Sequence, residues 1–109
     1  MSEQLSLISW NVRGLNDPAR RATIRAFLDR SSCSIVCIHE SKLSSFSAAD
    51  RREIAGPRFD MHAALDADGA RGGILLCWRS DRFTACSVVT REFSITARFM
   101  PVDGGTTGP

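Results

Sequence analysis

LSLISWNVRG, at positions 5–14, and SIVCIHES, at positions 34–41, are the two stretches of sequence that decide the fold. Each is an apolar run about as long as a β-strand, and each ends in a polar side chain, Asn11 in the first and Glu40 in the second. If the two strands are neighbours and run in the same direction, Asn11 and Glu40 leave the sheet side by side. Open α/β sheets bind their ligands at that edge, beyond the carboxyl ends of the strands.

A helix is predicted between the two strands, with Asp17 as its N-cap and Pro18 at its first position. Its apolar residues recur three and four positions apart, as a buried helical face requires. The order strand–helix–strand implies a right-handed crossover and parallel pairing. The predicted bounds are 5–10 for the first strand, 18–29 for the helix, with Ile24, Phe27 and Leu28 as its apolar face, and 33–39 for the second strand.

The remaining sequence predicts a short helix, a weak strand, a glycine-rich turn, a buried strand and an antiparallel pair of half-exposed strands. Their bounds are 48–54, 59–65, 66–73, 74–78, 83–89 and 93–99. This order predicts an α/β fold, one face of a mixed α/β sandwich. Its mixed sheet should carry two helices on one face and have nothing in the chain to cover the other. Residues 1–100 are expected to form one domain and residues 101–109 a disordered tail.

Length and composition bound the class of protein. A chain of 109 residues suffices for one small domain, and a hydrophobic fraction of 43% with 24% charged residues is typical of globular proteins. The net charge of +2 is too small to indicate a nucleic-acid partner by itself. No signal-peptide pattern and no bilayer-length apolar run is present. The cysteine spacing offers no CxxC pair and forbids a Cys33–Cys37 bridge, which predicts reduced thiols in an intracellular protein, nuclear or cytoplasmic.

Glu40 and Asn11 each have a functional interpretation and a structural one. A carboxylate at the end of a buried strand is a natural Mg²⁺ ligand, because this cation takes oxygen donors and often only one or two from protein. The alternative is a surface glutamate that pairs with Lys42 or with an arginine. The amide of Asn11 can orient a phosphate oxygen, or Asn11 can simply end a strand in a turn, which the following Gly14 supports.

The histidines and the glycine-rich turn give weaker signals. His39 precedes Glu40 on a strand, so their side chains should point to opposite faces, and His39 is expected in the core or against a helix. His62 lies in a weak strand without an identifiable Asp or Asn partner, so no catalytic triad is predicted. The segment 69–73 lacks the Lys-Ser/Thr of a P-loop and is interpreted as a turn that lets two backbones approach closely.

Three blocks of residues together resemble the endonuclease/exonuclease/phosphatase superfamily. They follow one another in the family's order, and the similarity extends over about residues 5–99. It is greatest to the apurinic-endonuclease-type domain at the front of plant LINE (non-LTR) retrotransposon polyproteins. The blocks are ISWNVRGLN at 8–16, IHESKL at 38–43 and RGGILLCW at 71–78.

The resemblance implies the first half of a four-layer α/β sandwich, from a family that hydrolyses phosphodiesters in DNA with Mg²⁺ or Mn²⁺. Asn11 would match the asparagine of the family's first motif, and Glu40 would match the metal-binding glutamate of its second. The usual second motif is Gln-Glu-Thr, whereas His39-Glu40-Ser41 keeps only the glutamate. Gly72 and Gly73 match a structural block of the family.

The same resemblance implies catalytic groups that these residues do not supply. The family also uses a tyrosine, an Asp–Asn pair and a late Asp and His, and the 109 residues contain no tyrosine. The expectation is therefore a truncated endonuclease-like domain of retrotransposon origin, without independent activity and poorly stable unless its uncovered sheet face binds a partner or a second copy. The alternative is a non-catalytic α/β interaction module.

Overall fold

The structure, a computed structural model, describes residues 7–102. Two helices and six strands follow one another in that range. In order they are β1 (Leu7–Asn11), α1 (Pro18–Asp29), β2 (Ile35–His39), α2 (Ala48–Ala55), β3 (Met61–Leu65), β4 (Ile74–Trp78), β5 (Phe83–Thr90) and β6 (Ile95–Pro101). The predicted α/β class is confirmed.

Four of these strands form one mixed sheet in the order β1-β2-β4-β3. β1 and β2 are parallel, with Leu7 opposite Ile35 and Asn11 opposite His39. β4 runs antiparallel to both β2 and β3. The predicted parallel pairing is confirmed. It is possible because α1 is long enough to carry the chain back to the start of the sheet.

Both helices lie on one face of this sheet and bury its main core. Ile24 and Leu28 of α1 and Ile54 of α2 share this core with the alternate residues Val36 and Ile38 of β2. Each of these five side chains is at most 2% exposed. The face that the two helices cover is therefore a closed apolar layer, as the sequence predicts.

The opposite face of the sheet is partly covered, which corrects the prediction that nothing in the chain would cover it. β5 and β6 form an antiparallel hairpin, separate from the four-stranded sheet. Phe83 of the hairpin is buried in a second core with Ile35, Leu76 and Trp78 of the sheet, and Phe99 packs edge-on against Trp78 with ring centroids 5.2 Å apart. The sequence predicts the hairpin but not its docking, because docking depends on contacts between distant segments.

The predicted bounds hold for α1 and β4 and shift elsewhere. The N-cap is confirmed, since the Asp17 side chain accepts a hydrogen bond from the N–H of Ala19. In α1 only Ile24 and Leu28 are buried, whereas Phe27 is 46% exposed and lies edge-on to Trp10.

Some strand bounds also differ from expectation. β1 ends at Asn11 rather than at residue 10, and β2 begins at Ile35 rather than at residue 33. β6 extends to Pro101 and the N–H of Val102 donates to the carbonyl of Arg82, so the first two residues of the predicted tail belong to the hairpin. Residues 5–6 of the first predicted strand and residues 103–109 of the tail lie outside the described residues.

The four cysteines are free thiols, as predicted. Cys33 and Cys77 are buried, Cys37 is half-buried and Cys86 is exposed. Burial raises the pKa of Cys77 to about 12, so this thiol stays protonated in the helix-side core.

Candidate functional site at the carboxyl edge of the sheet

The edge of the sheet where β1 and β2 end is called the rim. It consists of Asn11, the last residue of β1, and of residues 12–14 and 40–42, which directly follow β1 and β2. Asn11 pairs in register with His39, so Glu40 lies one position beyond the residue opposite Asn11. The two strands stay joined past their ends, because the N–H of Val12 donates to the carbonyl of His39 and the N–H of Leu15 donates to that of Ser41. The topology therefore brings Asn11 and Glu40 to the same edge of the sheet, with an offset of one residue.

Backbone strain is concentrated at this rim. The non-glycine residues with positive φ in the described chain are Arg13 (φ 58°), Glu40 (φ 60°) and Lys42 (φ 62°). This conformation is uncommon for residues with a Cβ and costs roughly 1–3 kcal/mol where the surrounding structure enforces it. Three such residues at the ends of two adjacent strands mark the rim as the strained part of the fold.

The loop before β4 enforces the conformation of Glu40. The N–H of Lys42 donates to the carbonyl of Gly72 over 2.7 Å, and the N–H of Ser41 donates to that of Gly73 over 3.2 Å. A Cβ on Gly72 would collide with the carboxylate of Glu40, and one on Gly73 would collide with the hydroxyl of the buried Ser41. The predicted close backbone approach at 69–73 is confirmed, and Gly73, with φ +89°, is the glycine that it requires.

The carboxylate of Glu40 shows both arrangements that the sequence leaves open. Its Oε1 lies 3.2 Å from the Nζ of Lys42, with side chains 43% and 53% exposed, as in an ordinary surface ion pair. Such a pair contributes little to stability. The same carboxylate lines a cleft of about 210 Å³, so solutes can reach it. The residues lining this cleft are His39, Glu40, Ala70, Arg71, Gly72, Gly73, Ile74 and Phe93.

His39 corrects the prediction that it lies in the core or against a helix, apart from the site of Glu40. Its Nε2 lies 3.3 Å from the hydroxyl of Ser9 and 3.5 Å from the thiol of Cys37, on the hairpin side of the sheet. It also lines the cleft together with Glu40. The alternation rule fails here because Glu40 has already left β2 in a left-handed conformation.

A second concave surface, the basic pocket, adjoins the rim and has a volume of about 260 Å³. Arg13, Arg20 and Lys42 contribute three positive charges to it, against the one negative charge of Asp17. Arg20 also fixes the strained turn after β1, since its Nη1 donates to the carbonyls of Val12 and Arg13 over 2.8 and 3.1 Å. The sequence lists these arginines but gives no sign that they converge beside Glu40.

His62 lies in β3, away from the residues of the rim and the cleft. Arg51 of α2 contacts its Nδ1 at 2.8 Å, and the ring of Phe46 packs edge-on at 4.9 Å. Burial and the adjacent guanidinium of Arg51 lower the pKa of His62. This histidine therefore links α2 to the sheet as a neutral acceptor.

The rim offers a hard cation one oxygen ligand, Glu40, since Asn11 lines a separate concavity next to α1 and not the cleft of Glu40. Glu40 supplies a solvent-accessible carboxylate, and Asn11 at the adjacent strand end is an exposed amide. Among residues 7–102, no three His, Cys, Asp or Glu side chains converge as a metal-binding group. Mg²⁺ commonly takes only one or two protein carboxylates and completes its shell with water and substrate phosphates, so Glu40 alone is compatible with it.

Comparisons with known proteins give no assignment. No protein-family model matches the chain. No curated protein matches it either. Neither helix of the described chain is long and apolar enough to cross a lipid bilayer.

Proposed function

We propose that the rim is part of a divalent-cation-dependent phosphodiester site of the endonuclease/exonuclease/phosphatase type. Glu40 would be its metal ligand, and Asn11 the amide that orients a phosphate. The observation that carries the proposal is the parallel pairing of β1 with β2, which leaves both residues at one edge of the sheet. In open α/β sheets this edge is the usual ligand site.

The conformation of Glu40 supports this role. A surface glutamate that served only to pair with Lys42 would not need a positive φ. Strained residues concentrate where the surrounding structure holds a functional group in place. A Mg²⁺ or Mn²⁺ ion bound to this carboxylate would neutralise the charge of a phosphate. The ion would compete for the carboxylate with the ammonium group of Lys42.

The basic pocket supports a nucleic-acid backbone as the partner. It joins Arg13, Arg20 and Lys42 beside the rim, although the whole chain carries a net charge of only +2. Arginine and lysine groups that contact phosphates supply the sequence-independent part of DNA binding. Binding through this pocket should therefore weaken steeply as the salt concentration rises.

We further propose that these 109 residues bind without hydrolysing. Hydrolysis needs a group that activates water, in addition to the metal and the phosphate contacts. Glu40 is the one carboxylate among the residues that line the cleft. In the family that the sequence resembles, the remaining acid–base groups are a tyrosine, an Asp–Asn pair and a late Asp and His. No motif in this chain matches them.

The test uses Mn²⁺ binding, followed by water-proton relaxation, and nicking of supercoiled plasmid with Mg²⁺. We expect Mn²⁺ to bind, Glu40→Gln to weaken that binding about tenfold or more, and no plasmid to be nicked. Glu53→Gln removes the same charge from an exposed position on α2 and should leave Mn²⁺ binding unchanged. Equal Mn²⁺ binding by both variants would refute the metal role of Glu40, and nicking that Glu40→Gln abolishes would show a complete enzyme.

A second function, a non-catalytic interaction module, is favoured by a different observation. Large apolar side chains are exposed on the hairpin and at the edge of the sheet, among them Met100 at 60% and Leu7 at 53%. Where exposed apolar side chains form one continuous patch, they mark a protein contact site. Association that Met100→Lys reduces and Glu40→Gln leaves unchanged, measured by sedimentation velocity over a range of concentrations, would favour this function over the first.

A further inference from the structure

Three side chains with different metal-binding atoms meet on the hairpin side of β1 and β2. Cys37 and His39 alternate along β2 and therefore share a face, and Ser9 is the register partner of Cys37 on β1. The Nε2 of His39 lies 3.5 Å from the Sγ of Cys37 and 3.3 Å from the Oγ of Ser9. These three side chains are called the Ser–Cys–His cluster below, and the proposed phosphodiester site does not use their heteroatoms.

Strand register brings these three side chains together, and Nε2 stands within hydrogen-bond distance of both the hydroxyl and the thiol. A neutral imidazole nitrogen offers either one N–H or one lone pair, so Nε2 cannot form a full hydrogen bond with both the hydroxyl and the thiol. The two distances also match two edges of a tetrahedral metal site. Zinc ligands bind at about 2.3 Å for sulfur, about 2.0–2.1 Å for nitrogen and about 2.0–2.2 Å for oxygen, which places tetrahedral ligands roughly 3.3–3.6 Å apart.

We propose that the Ser–Cys–His cluster binds one Zn²⁺-like cation, with the Sγ of Cys37 and the Nε2 of His39 as ligands. The hydroxyl of Ser9 is the third donor, and water takes the fourth position. Binding breaks the S–H bond of Cys37, and the proton passes to solvent as the thiolate–metal bond forms. Sulfur and imidazole donors select a cation such as Zn²⁺, whereas the carboxylate of Glu40 selects a harder one such as Mg²⁺.

The surroundings of the cluster allow this binding. Ser9 is exposed, and Cys37 and His39 are half-buried, so the cluster is open to solvent from the side of β1. The two buried thiols do not compete for the same ion. Cys33 and Cys77 are buried in the helix-side core. Cys86 is exposed on β5.

The experiment is a titration of the whole protein with Co²⁺, whose thiolate charge-transfer band in the near ultraviolet reports a bond to cysteine. We expect one equivalent of Co²⁺ to produce this band together with the intense visible bands of a tetrahedral site. One equivalent of Zn²⁺ should abolish both, and saturating Zn²⁺ should raise the thermal midpoint by several degrees. Cys37→Ser should remove the near-ultraviolet band, and the matched control Cys86→Ser should keep it.

The wild-type titration is decisive by itself, because absence of the thiolate band at saturating Co²⁺ would overturn the proposal whether or not any variant folds. Retention of the band in Cys37→Ser, or its loss in Cys86→Ser, would overturn it too. His39→Gln keeps the thiol and should weaken Co²⁺ binding at least tenfold. Glu40→Gln should leave the band unchanged. A band that disappears in Glu40→Gln would assign the ion to the rim and refute a separate site.

Discussion

The helix-side core and the rim differ in nearly every physical property, although residues of β1 and β2, or residues next to them, contribute to both. The core consists of regular backbone with buried apolar side chains such as Ile38 and Leu28, each 0% exposed. The rim has three non-glycine residues with positive φ and exposes both members of the ion pair between Glu40 and Lys42.

This difference shows how stability and chemistry are divided in a small domain. Apolar burial in the core supplies the free energy that folds the chain. Part of that free energy offsets the strain at the rim, where the loop at Gly72 and Gly73 hydrogen-bonds to the end of β2. Substitutions should accordingly have large effects in the core, intermediate effects where the rim is held, and small effects on exposed surfaces.

The largest effect is expected from Phe59→Ala. Phe59 is 0% exposed in the helix-side core, so its truncation should lower the free energy of unfolding by about 3–5 kcal/mol. Phe93→Ala is the matched control, because the same truncation at a side chain 62% exposed should change it by no more than about 0.5 kcal/mol. Urea denaturation followed by circular dichroism measures both. Similar values for the two variants would break the distinction between core and surface.

An intermediate effect is expected from Gly73→Ala. Gly73 has φ +89° and Gly69 has φ +59°, so an alanine at either position carries roughly 1–2 kcal/mol of backbone strain. At Gly73 the new Cβ also meets the buried hydroxyl of Ser41, whereas at Gly69 no atom lies within 4 Å. Gly73→Ala should therefore destabilise by about 1–3 kcal/mol more than Gly69→Ala in the same urea experiment. Equal losses would mean that the loop does not hold the rim.

The smallest effect is expected from pH, through His62. Folding lowers the pKa of His62 below its ordinary value of 6.5. Between the folded-state pKa and 6.5, the unfolded chain therefore binds more protons at this site than the folded chain. Stability contributed by neutral His62 is thus complete above about pH 6.5 and is lost as the pH falls below it. His62→Gln should flatten this part of the stability profile, measured by thermal unfolding from pH 7.5 to 5. An unchanged slope in the variant would contradict the assignment.

A separate loss at lower pH should come from Asp50. The hydrogen bonds that it accepts from Ser47 and the neighbouring Arg21 lower its pKa from 3.8. Its contribution is therefore present above about pH 3.8 and is lost as the pH falls further. His62→Gln should leave the loss below pH 3.8 in place, because it does not change the hydrogen bonds that Asp50 accepts.

Sequence reasoning succeeds in this chain where local rules decide the structure. The N-cap at Asp17, the bounds of α1 and the parallel pairing of β1 with β2 follow from short-range patterns and from chain connectivity. The same rules bring Asn11 and Glu40 to one edge of the sheet, because each residue lies at or just beyond the end of its strand.

The features that the sequence did not predict depend on contacts between distant segments. The positive φ of Glu40 arises from hydrogen bonds to a loop about thirty residues further along the chain, and no pattern around position 40 announces it. The docking of the hairpin depends on how Phe99 meets Trp78. The sequence also separated His39 from Glu40 by carrying strand alternation one residue past the end of β2, where the rule no longer holds.

The central place of β2 in its sheet has a consequence for how this sequence can change over generations. β2 is bonded to a parallel neighbour on one side and to an antiparallel neighbour on the other. Deleting one residue near its start would turn His39 toward the helices and Ile38 toward the hairpin, whereas a substitution leaves the alternation intact. The length of this segment is therefore constrained more strictly than the identity of its residues. Related chains should differ here by substitutions and not by insertion or deletion of an odd number of residues.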